Sequence, residues 1–460
     1  MKGVRTTFYT AFALTLLILG AVLVWKLLIR GERPGFIIIG LSAVLAALAA
    51  LCLYSAEAAA RGRGRAAGRL WLFIATLVIT YAVVDIAGGA IFIRTVLFHN
   101  YPDKYVHHKM PPRMRYLMEN PYGDYSVEMV TNNMGFRGRD IGKKAPGTYR
   151  IVMLGDSFTM GEGVEDASTF PWLTEEYLNG RGGRKYEVIN LGVESYAPVL
   201  EYSLLKRVIR ELGPDMVILN FDMSDLLNEY AYRRAAVFDD KGDIIAVDGF
   251  PEYERRRESV TERTIKWVRE RLFITGILYE TLNRRALNRA EPEAGDLSLR
   301  NAVERGSGMQ LLHTLDAPQL PQSEEMYRMV GDSILRAKRL CDMYGCTFIL
   351  SVYPWGHQVN DEEWVPGRYG YIPEGARISD RTVEKLGEFA RENGIDFFNA
   401  FPCFREYRGG ERLYFRHDMH WTPAGQRLMA KSLDRFIEKE LGIKERPRAT
   451  FYPTGEREHF

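Results

Sequence analysis

The sequence predicts an α/β protein: a three-layer α/β/α, parallel-sheet domain preceded by three transmembrane α-helices. Two observations predict this fold. Short, uninterrupted apolar segments alternate with helical patterns from residue 149 onward, and three long apolar runs come before residue 97. Strands that are buried on both faces have continuous apolar sequences, and their alternation with helices is typical of a parallel sheet.

The chain of 460 residues is too long for one ordinary domain, because single hydrophobic cores stop growing at roughly 250–300 residues. We divide it into four parts. Residues 1–97 are the membrane region, 98–148 a linker with a leading strand, 149–442 the α/β domain with an insertion at 230–322, and 443–460 a polar tail.

Composition excludes some classes of protein. The chain is 46% hydrophobic and 26% charged, and its net charge of +2 gives no argument for a nucleic-acid partner. Four cysteines do not make a disulfide scaffold. Cys341 and Cys346 are predicted to be buried thiols, with a disulfide in an oxidising compartment as the alternative.

The apolar runs at 8–29, 35–53 and 70–93 are each close to the about 20 residues that a membrane span needs. Lysines and arginines are more numerous before the first run and between the second and third than between the first and second. The positive-inside rule then places everything after residue 93 outside. We therefore predict a multi-pass cell-membrane protein whose catalytic domain is extracytoplasmic, either periplasmic or extracellular.

Asp85 falls inside the third apolar run. A carboxylate in a membrane span is costly, which makes it a functional-site hypothesis. The alternative is that the span is shifted and Asp85 lies near the outer interface.

The linker is rich in Pro, Tyr and Met, and its His107-His108 pair is expected to be solvated. A strand at 125–131 and a turn at 132–135 follow. Core strands are predicted at 149–154, 187–191, 216–221, 347–353 and 395–400. Helices are predicted at 169–178, 199–212, 325–344 and 381–393, and a last one starts at Thr422-Pro423, a side-chain cap followed by proline.

Residues 230–322 interrupt this alternation. They contain a predicted hairpin at 236–247 that turns at 240–242, a helical stretch with an apolar face at 264–287, and a polar tract at 291–308. Long insertions of this kind form lids or substrate platforms, or else ordinary peripheral subdomains. The apolar helix could also rest on a bilayer.

The chemistry-bearing residues follow strand ends. Ser157 comes after the first core strand, and Asp418 and His420 come shortly before the last helix. A serine hydroxyl becomes a nucleophile when a base takes its proton and an acid orients that base. Gly192 and Ser224 also follow strand ends, and in a parallel sheet such groups share one rim.

Each of these residues has a structural alternative. Ser157 could be only a helix N-cap, His420 a packed histidine, and Gly192 a turn glycine. His417 is a rival base, and Asp156 is expected to bind turn amides. The sequence predicts no metal and no cofactor.

The chain resembles the SGNH/GDSL hydrolase superfamily. The matching pieces are Gly155-Asp156-Ser157-Phe158, Asn190-Leu191-Gly192-Val193, Met223-Ser224-Asp225-Leu226 and Asp418-Met419-His420. The resemblance implies that Ser157 is the nucleophile, His420 the base and Asp418 the acid. It also implies an oxyanion hole formed by Ser157, Gly192 and Ser224.

Two departures from the family pattern matter. Ser224 stands where the family has an asparagine that helps to bind the oxyanion, and losing one such donor typically costs about 10²–10³ in rate. The D-x-H spacing of Asp418 and His420 replaces D-x-x-H. This spacing is similar to that of membrane-associated proteins that O-acetylate polysaccharides such as alginate.

These features predict a membrane-anchored serine ester hydrolase or O-acyltransferase, acting on an acylated cell-envelope or exported polysaccharide. A membrane protein that hands over acyl groups is a conceivable partner. Trp355 and Trp364 could bind sugar rings or pack in the core. The alternatives are a catalytically weak glycan-binding scaffold of an export or modification complex, and a membrane lipase or thioesterase.

Overall fold

The structure is a computed structural model. It describes residues 100–251, except 121 and 181–182, and residues 309–441, except 318 and 373–374. Scattered positions at 57–97 and 264–278 are also described. The chain divides into two compact units, one of Met1–Arg94 with Ser259–Ala286, the other of Thr95–Glu258 with Leu287–Phe460.

The second unit contains all the described strands. In chain order they are β1 Val96–Leu97, β2 Tyr101–Asp103, β3 His107–Lys109, β4 Arg115–Glu119, β5 Ser126–Val130, β6 Thr148–Gly155, β7 Lys185–Gly192, β8 Met216–Phe221, β9 Ala236–Phe238, β10 Ile244–Val247, β11 Thr347–Val352 and β12 Asp396–Asn399.

Its described α-helices are α1 Ser157–Met160, α2 Phe170–Gly180, α3 Pro198–Leu212, α4 Asp225–Tyr232, α5 Ser323–Tyr344, α6 Gly356–Val359, α7 Arg381–Glu392, α8 Phe401–Arg405 and α9 Pro423–Phe436. Short 3-10 turns occur at Asp166–Ser168, Arg233–Ala235, Met309–Thr314 and Gly367–Gly370, and a π turn at Ile437–Leu441.

A five-stranded parallel sheet forms the core, in the order β12-β11-β8-β6-β7. Read by sequence among these five strands, the order is 2-1-3-4-5, which is that of flavodoxin-like folds. Every residue of β6 and of β8 is buried, as the continuous apolar sequences predict. Gly155 pairs with Gly192 at the ends of β6 and β7, so the residues that follow both strands meet at one rim.

Helices cover the sheet in two layers. α3, α4 and α5 pack against one another, and α2 packs with α9. α3 begins with Pro198 and is closed by Gly213 at φ +55°, and α9 begins after Thr422, whose hydroxyl accepts from the Gly425 N–H group. The predicted three-layer α/β domain and its five core strands are confirmed within one or two residues at each end.

The segment before the sheet is more than a linker. β4 and β5 form an antiparallel pair, joined by β1, and β2 pairs with β3. The expectation of a solvated His107-His108 pair is wrong, because both side chains are buried. His108 Nε2 lies 2.7 Å from the carbonyl oxygen of Glu194, in the loop after β7, which ties this segment to the rim of the sheet.

The insertion begins as predicted with the β9–β10 hairpin, which turns at Gly242 with φ +77°. The expected helical stretch at 264–287 lies mostly outside the described residues, and the polar tract at 291–308 lies wholly outside them. Cys341 and Cys346 are free, buried thiols.

In the first unit, Asp85 is 2% exposed, and its carboxylate accepts hydrogen bonds from the backbone N–H groups of Ile274 (2.5 Å) and Thr275 (3.1 Å). The Tyr81 hydroxyl lies 2.7 Å from Thr275 Oγ1. Asp85 thus has a local structural role. Among the described positions, no helix is long and apolar enough to cross a bilayer. The predicted spans at 8–29 and 35–53, and most of 70–93, lie outside those positions.

Candidate active site

The nucleophile candidate sits on a tight turn between β6 and α1. Gly155 has φ +154°, and a Cβ atom there would lie 2.1 Å from Thr159 Oγ1, so only glycine fits. Asp156 then caps α1, because its carboxylate accepts from the Phe158 N–H group at 2.9 Å. The expected structural role of Asp156 is confirmed. Ser157 is the first residue of α1, where backbone N–H groups have no partner inside the helix.

The structure brings together the three residues that the sequence singled out. Ser157 Oγ lies 2.7 Å from His420 Nε2, and His420 Nδ1 lies 2.5 Å from Asp418 Oδ1. The two hydrogen bonds form a continuous chain across residues that are 263 positions apart. Ser157 and His420 are each 8% exposed, so the chain lies at the edge of the interior.

The second oxygen of Asp418 is held by the segment before the sheet. Asp418 Oδ2 accepts from Asn120 Nδ2 at 3.2 Å and from the Tyr125 hydroxyl at 3.1 Å. These donors lie between β4 and β5, about 300 residues before Asp418 in the sequence. Because hydrogen bonds favour the charged form of a carboxylate, both donors stabilise Asp418 as an anion.

His417, the rival base, has a different partner. Its Nδ1 lies 3.0 Å from Asp124 Oδ1, and its ring stacks on Tyr122 at a centroid distance of 4.8 Å. Asp124 Oδ2 also accepts from the backbone N–H groups of His417 (2.8 Å) and Asp418 (3.0 Å). His417 therefore anchors the backbone of this loop, while His420 faces the serine.

A second carboxylate faces the histidine. Glu162 Oε2 lies 3.6 Å from His420 Nε2, and Glu162 Oε1 accepts from the Tyr125 hydroxyl at 2.9 Å. Tyr125 is therefore shared between Glu162 and Asp418. The sequence analysis missed Glu162, although a charged residue between two glycines, five residues after the end of the G-D-S motif, is a signal that could have singled it out.

Two of the predicted oxyanion-hole residues, Gly192 and Ser224, have hydrogen-bond partners within the protein. The Gly192 N–H group donates to Asn190 Oδ1 at 2.9 Å, so it is occupied. Glycine is required there because a Cβ atom would lie 2.2 Å from the Met160 nitrogen. Gly192 is a packing residue where α1 approaches β7.

The polar groups of Ser224 also have partners within the protein. Its N–H group donates to Asp222 Oδ1 at 2.7 Å, and its hydroxyl hydrogen-bonds the same carboxylate. An amide nevertheless lies beside it, because Asn228 Nδ2, one helical turn later in α4, donates to Ser224 Oγ at 3.3 Å. Asn228 is thus a side-chain amide in hydrogen-bond contact with the residue that stands where the family has an asparagine.

The two tryptophans considered for sugar binding are core residues. Trp355 is 1% exposed and Trp364 is 0% exposed. Trp355 Nε1 donates to Asp222 Oδ2 at 2.6 Å. Aromatic packing therefore explains both residues, and the glycan-platform interpretation is wrong for them.

The charges around His420 control its protonation. Burial alone would lower the pKa of His420, but the carboxylates of Glu162 and Asp418 outweigh it and raise that pKa to about 10. Burial would raise the pKa of Asp418, yet His420 and its hydrogen bonds hold it below 3.8. Burial raises the pKa of Asp156 and of Asp222 behind the serine.

Within the described part of the chain, Glu162, Asp418 and His420 are the one group of side chains whose ligand atoms, all within 4.8 Å of one another, could hold a metal ion. Both ring nitrogens of His420 already face protein partners, Ser157 and Asp418. A metal would have to displace one of them. The geometry fits a hydrogen-bonded chain better than a metal centre.

The fold and the site define the class: a three-layer α/β domain in which a serine at the end of the first core strand is hydrogen-bonded to a histidine and, through it, to a carboxylate. More particularly, residues 334–459 match the family described as the SGNH hydrolase-like domain of the acetyltransferase AlgX. This stretch contains Asp418 and His420. The resemblance to SGNH hydrolases drawn from the motifs is confirmed, and such a domain supports esterase or acyltransferase activity.

Solved structures with a similar arrangement include TesA (12% identity, TM-score 0.32, 64% of this chain and 99% of that one). A GDSL-like lipase from Bacteroides thetaiotaomicron is also similar, with 13% identity and a TM-score of 0.30 over 65% of this chain and 93% of that one. The acetyl xylan esterase AlAXEase has 13% identity and a TM-score of 0.31 over 62% of this chain and 97% of that one. No curated protein sequence matches the chain.

Proposed function

We propose that this protein is a membrane-anchored, extracytoplasmic serine esterase or O-acetyltransferase that acts on a cell-envelope or exported polysaccharide. The observation that carries the proposal is the chain of hydrogen bonds from Ser157 Oγ to His420 and on to Asp418. A serine, an imidazole and a carboxylate in this order are the parts that acyl transfer through a covalent intermediate requires.

In the first half-reaction, Ser157 Oγ attacks the ester carbonyl carbon while His420 Nε2 takes its proton. Asp418 holds the ring with Nδ1 toward itself and stabilises the imidazolium. The imidazolium then gives its proton to the leaving alcohol, and the acyl group stays on Ser157. In the second half-reaction, a hydroxyl of water or of a sugar attacks the acyl carbon, its proton goes to Nε2, and Ser157 is released.

The developing oxyanion needs hydrogen-bond donors. The backbone N–H group of Ser157 is one, because it is the first residue of α1. The side-chain amide of Asn228 is the candidate for the second, since the Gly192 and Ser224 N–H groups are already engaged. This assignment keeps an amide at the oxyanion although residue 224 is a serine.

The substrate and the location of the domain rest on two kinds of support. The match of residues 334–459 to the AlgX acetyltransferase domain favours an acetyl group. The D-x-H spacing of Asp418 and His420, similar to that of proteins that O-acetylate polysaccharides, favours a polysaccharide. The apolar runs at 8–29, 35–53 and 70–93, with their distribution of lysine and arginine, favour a membrane anchor with the catalytic domain outside. A membrane protein that supplies acyl groups fits the same arrangement.

A catalytically weak scaffold is the second candidate. The observation in its favour is that Ser224 is bonded to Asp222 instead of facing Ser157. Such a protein would bind glycan and hold its export partners without turning over esters.

The test uses the full chain in detergent micelles, with p-nitrophenyl esters of increasing acyl length and a fluorophosphonate label. We compare the wild type with Ser157→Ala and with Ser126→Ala, an exposed serine on β5 that serves as the matched control. We expect acetyl-ester turnover and labelling that Ser157→Ala abolishes and Ser126→Ala keeps.

Three outcomes would redirect the proposal. Folded wild type that neither turns over esters nor reacts with the label would favour the scaffold. A preference for long acyl chains would favour a lipase or thioesterase. Turnover that survives in Ser157→Ala would move the nucleophile elsewhere.

A further inference from the structure

A rigid loop places Glu162 directly after the nucleophile helix. Gly161 and Gly163 flank it with φ +88° and +81°, values that L side chains rarely adopt. The Arg137 guanidinium, fully buried, donates to the carbonyl oxygens of Gly161 and Val164 on either side of Glu162, and it pairs with Asp166 at 2.6 Å. The position of the Glu162 carboxylate is therefore fixed by its surroundings.

The two carboxylate oxygens of Glu162 have different neighbours. Oε1 accepts from the Tyr125 hydroxyl at 2.9 Å. Oε2 faces His420 Nε2 at 3.6 Å, which is beyond hydrogen-bond range, and Nε2 in turn lies 2.7 Å from Ser157 Oγ. Oε2 thus points at the atom that must take the proton of the attacking hydroxyl in the second half-reaction.

Attack on the acyl-serine needs His420 Nε2 to accept the one proton of an alcohol. That alcohol has no second proton to offer Glu162. Glu162 Oε2 lies close to the point of attack. It is therefore suited to accept a hydrogen bond from a second hydroxyl of the acceptor, on the carbon next to the one that carries the attacking hydroxyl. Hydrogen bonds from neutral donors to a carboxylate are among the stronger ones in proteins, so this contact would select between acceptors.

We propose that Glu162 binds the acceptor, with Oε2 accepting a hydrogen bond from the hydroxyl adjacent to the one that attacks, so that the site favours vicinal diols such as those of sugar rings. This inference rests on the proposed function, since it concerns the second half of the same reaction. It favours transfer to a vicinal diol over transfer to a simple alcohol.

The atoms balance without a further reactant. The attacking oxygen forms a bond to the acyl carbon, its proton passes to Nε2, and the bond between the acyl carbon and Ser157 Oγ breaks. The proton on Nε2 then returns to Oγ. The adjacent hydroxyl keeps its proton throughout and only donates a hydrogen bond to Glu162.

The test measures how the acetyl-enzyme partitions between acceptors. Full-length protein is given p-nitrophenyl acetate with either propane-1,2-diol or propan-1-ol at equal concentration, and the acetylated alcohol and free acetate are quantified by chromatography. The variants are Glu162→Gln and Glu162→Asp, and Glu165→Gln is the matched control, because Glu165 is exposed and makes no cap hydrogen bond through its side chain. The burst of p-nitrophenol, measured in parallel, reports acylation of Ser157.

We expect the wild type and Glu165→Gln to prefer the diol by about tenfold, the size of effect that one hydrogen bond to a charged group gives. In Glu162→Gln the preference should fall to near one while the burst remains detectable, and Glu162→Asp should be intermediate. Equal use of diol and alcohol by the wild type would overturn the proposal, and so would a preference that survives in Glu162→Gln. Loss of transfer to water and to both alcohols alike in Glu162→Gln would also overturn it, because it would show that Glu162 acts on every acceptor through His420. Absence of any burst in the wild type would overturn the proposed function itself.

Discussion

Arg137 donates a hydrogen bond to the backbone carbonyl of Gly161, the residue immediately before Glu162. The guanidinium is 1% exposed, and it also bonds the carbonyl of Val164 and the carboxylate of Asp166. A buried cation thus organises the loop that carries a second carboxylate to His420.

Replacing Arg137 by methionine should destabilise the protein by about 3 kcal/mol, because two buried carbonyls and Asp166 lose their donor. Chemical denaturation of wild type and variant measures the difference. The control is Arg139→Ala, because the Arg139 side chain is 58% exposed and the loss of its ion pair with Glu175 should change stability by about 1 kcal/mol or less. Equal effects of the two substitutions would contradict the organising role of Arg137.

The rate of fluorophosphonate labelling should depend on pH through His420. The neutral imidazole is the base, and because Glu162 and Asp418 raise its pKa to about 10, labelling of the wild type should accelerate with rising pH up to about 10. In Glu162→Gln the midpoint of this pH dependence should move to lower pH, because a negative charge that raises the pKa of His420 has been removed. A midpoint near 6.5 in both proteins would mean that Glu162 does not act on the imidazole.

The free energy of unfolding should fall as pH rises, because the buried Glu201 carboxyl in α3 titrates differently in the folded and unfolded protein. Its side chain is 0% exposed, and both carboxylate oxygens lack a hydrogen-bond partner among the described residues. Burial raises the pKa of Glu201 well above 4.5, with Asp156 adding to the effect, so the folded protein holds a proton that the unfolded chain releases above that pH. Stability therefore declines as pH rises from 4.5 toward the folded pKa.

Glu201→Gln removes this titration. The stability of the variant relative to wild type should grow between pH 5 and pH 8, by up to about 1.4 kcal/mol for each pH unit inside the window. Thermal unfolding at both pH values measures it. A constant difference between the two proteins would mean that Glu201 keeps an ordinary pKa.

Ser195, in the loop between β7 and α3, adopts φ +62° and is exposed. The left-handed conformation costs an L residue about 1–2 kcal/mol, partly offset in a glycine variant by the extra freedom of the unfolded chain. Ser195→Gly should stabilise the protein by about 0.5–1 kcal/mol. Ser195→Ala keeps the Cβ atom and should give no gain, so a comparable gain in both variants would argue against backbone strain.

The core of the fold could be predicted because its signals are local. β8 is a run of six buried residues that ends before Asp222, and Thr422-Pro423 marks the start of α9 by cap chemistry alone. The 2-1-3-4-5 strand order follows from rules for parallel sheets. The β-strands of residues 101–130 were missed in large part because their pairs are short, with only partly alternating apolar residues.

The site was predictable in its three central residues and not in their supports. Ser157, Asp418 and His420 belong to short motifs. Asn120 and Tyr125 reach Asp418 across nearly 300 positions, and no local pattern marks such a contact. The motifs did not predict that the N–H groups of Gly192 and Ser224 donate to Asn190 and Asp222, because such contacts depend on the packing of the folded chain.

Asn120 and Tyr125, which hydrogen-bond Asp418, precede the first strand of the five-stranded sheet. The candidate site therefore includes residues that lie outside the sheet domain. A gene shortened to start at β6 would still encode the five-stranded sheet, the serine and the histidine. It would leave Asp418 without two of its donors and Glu162 without its tyrosine. Exchange of this region between homologous genes would therefore have to carry the β4–β5 hairpin and the loop of Asp418 and His420 together to keep these hydrogen bonds.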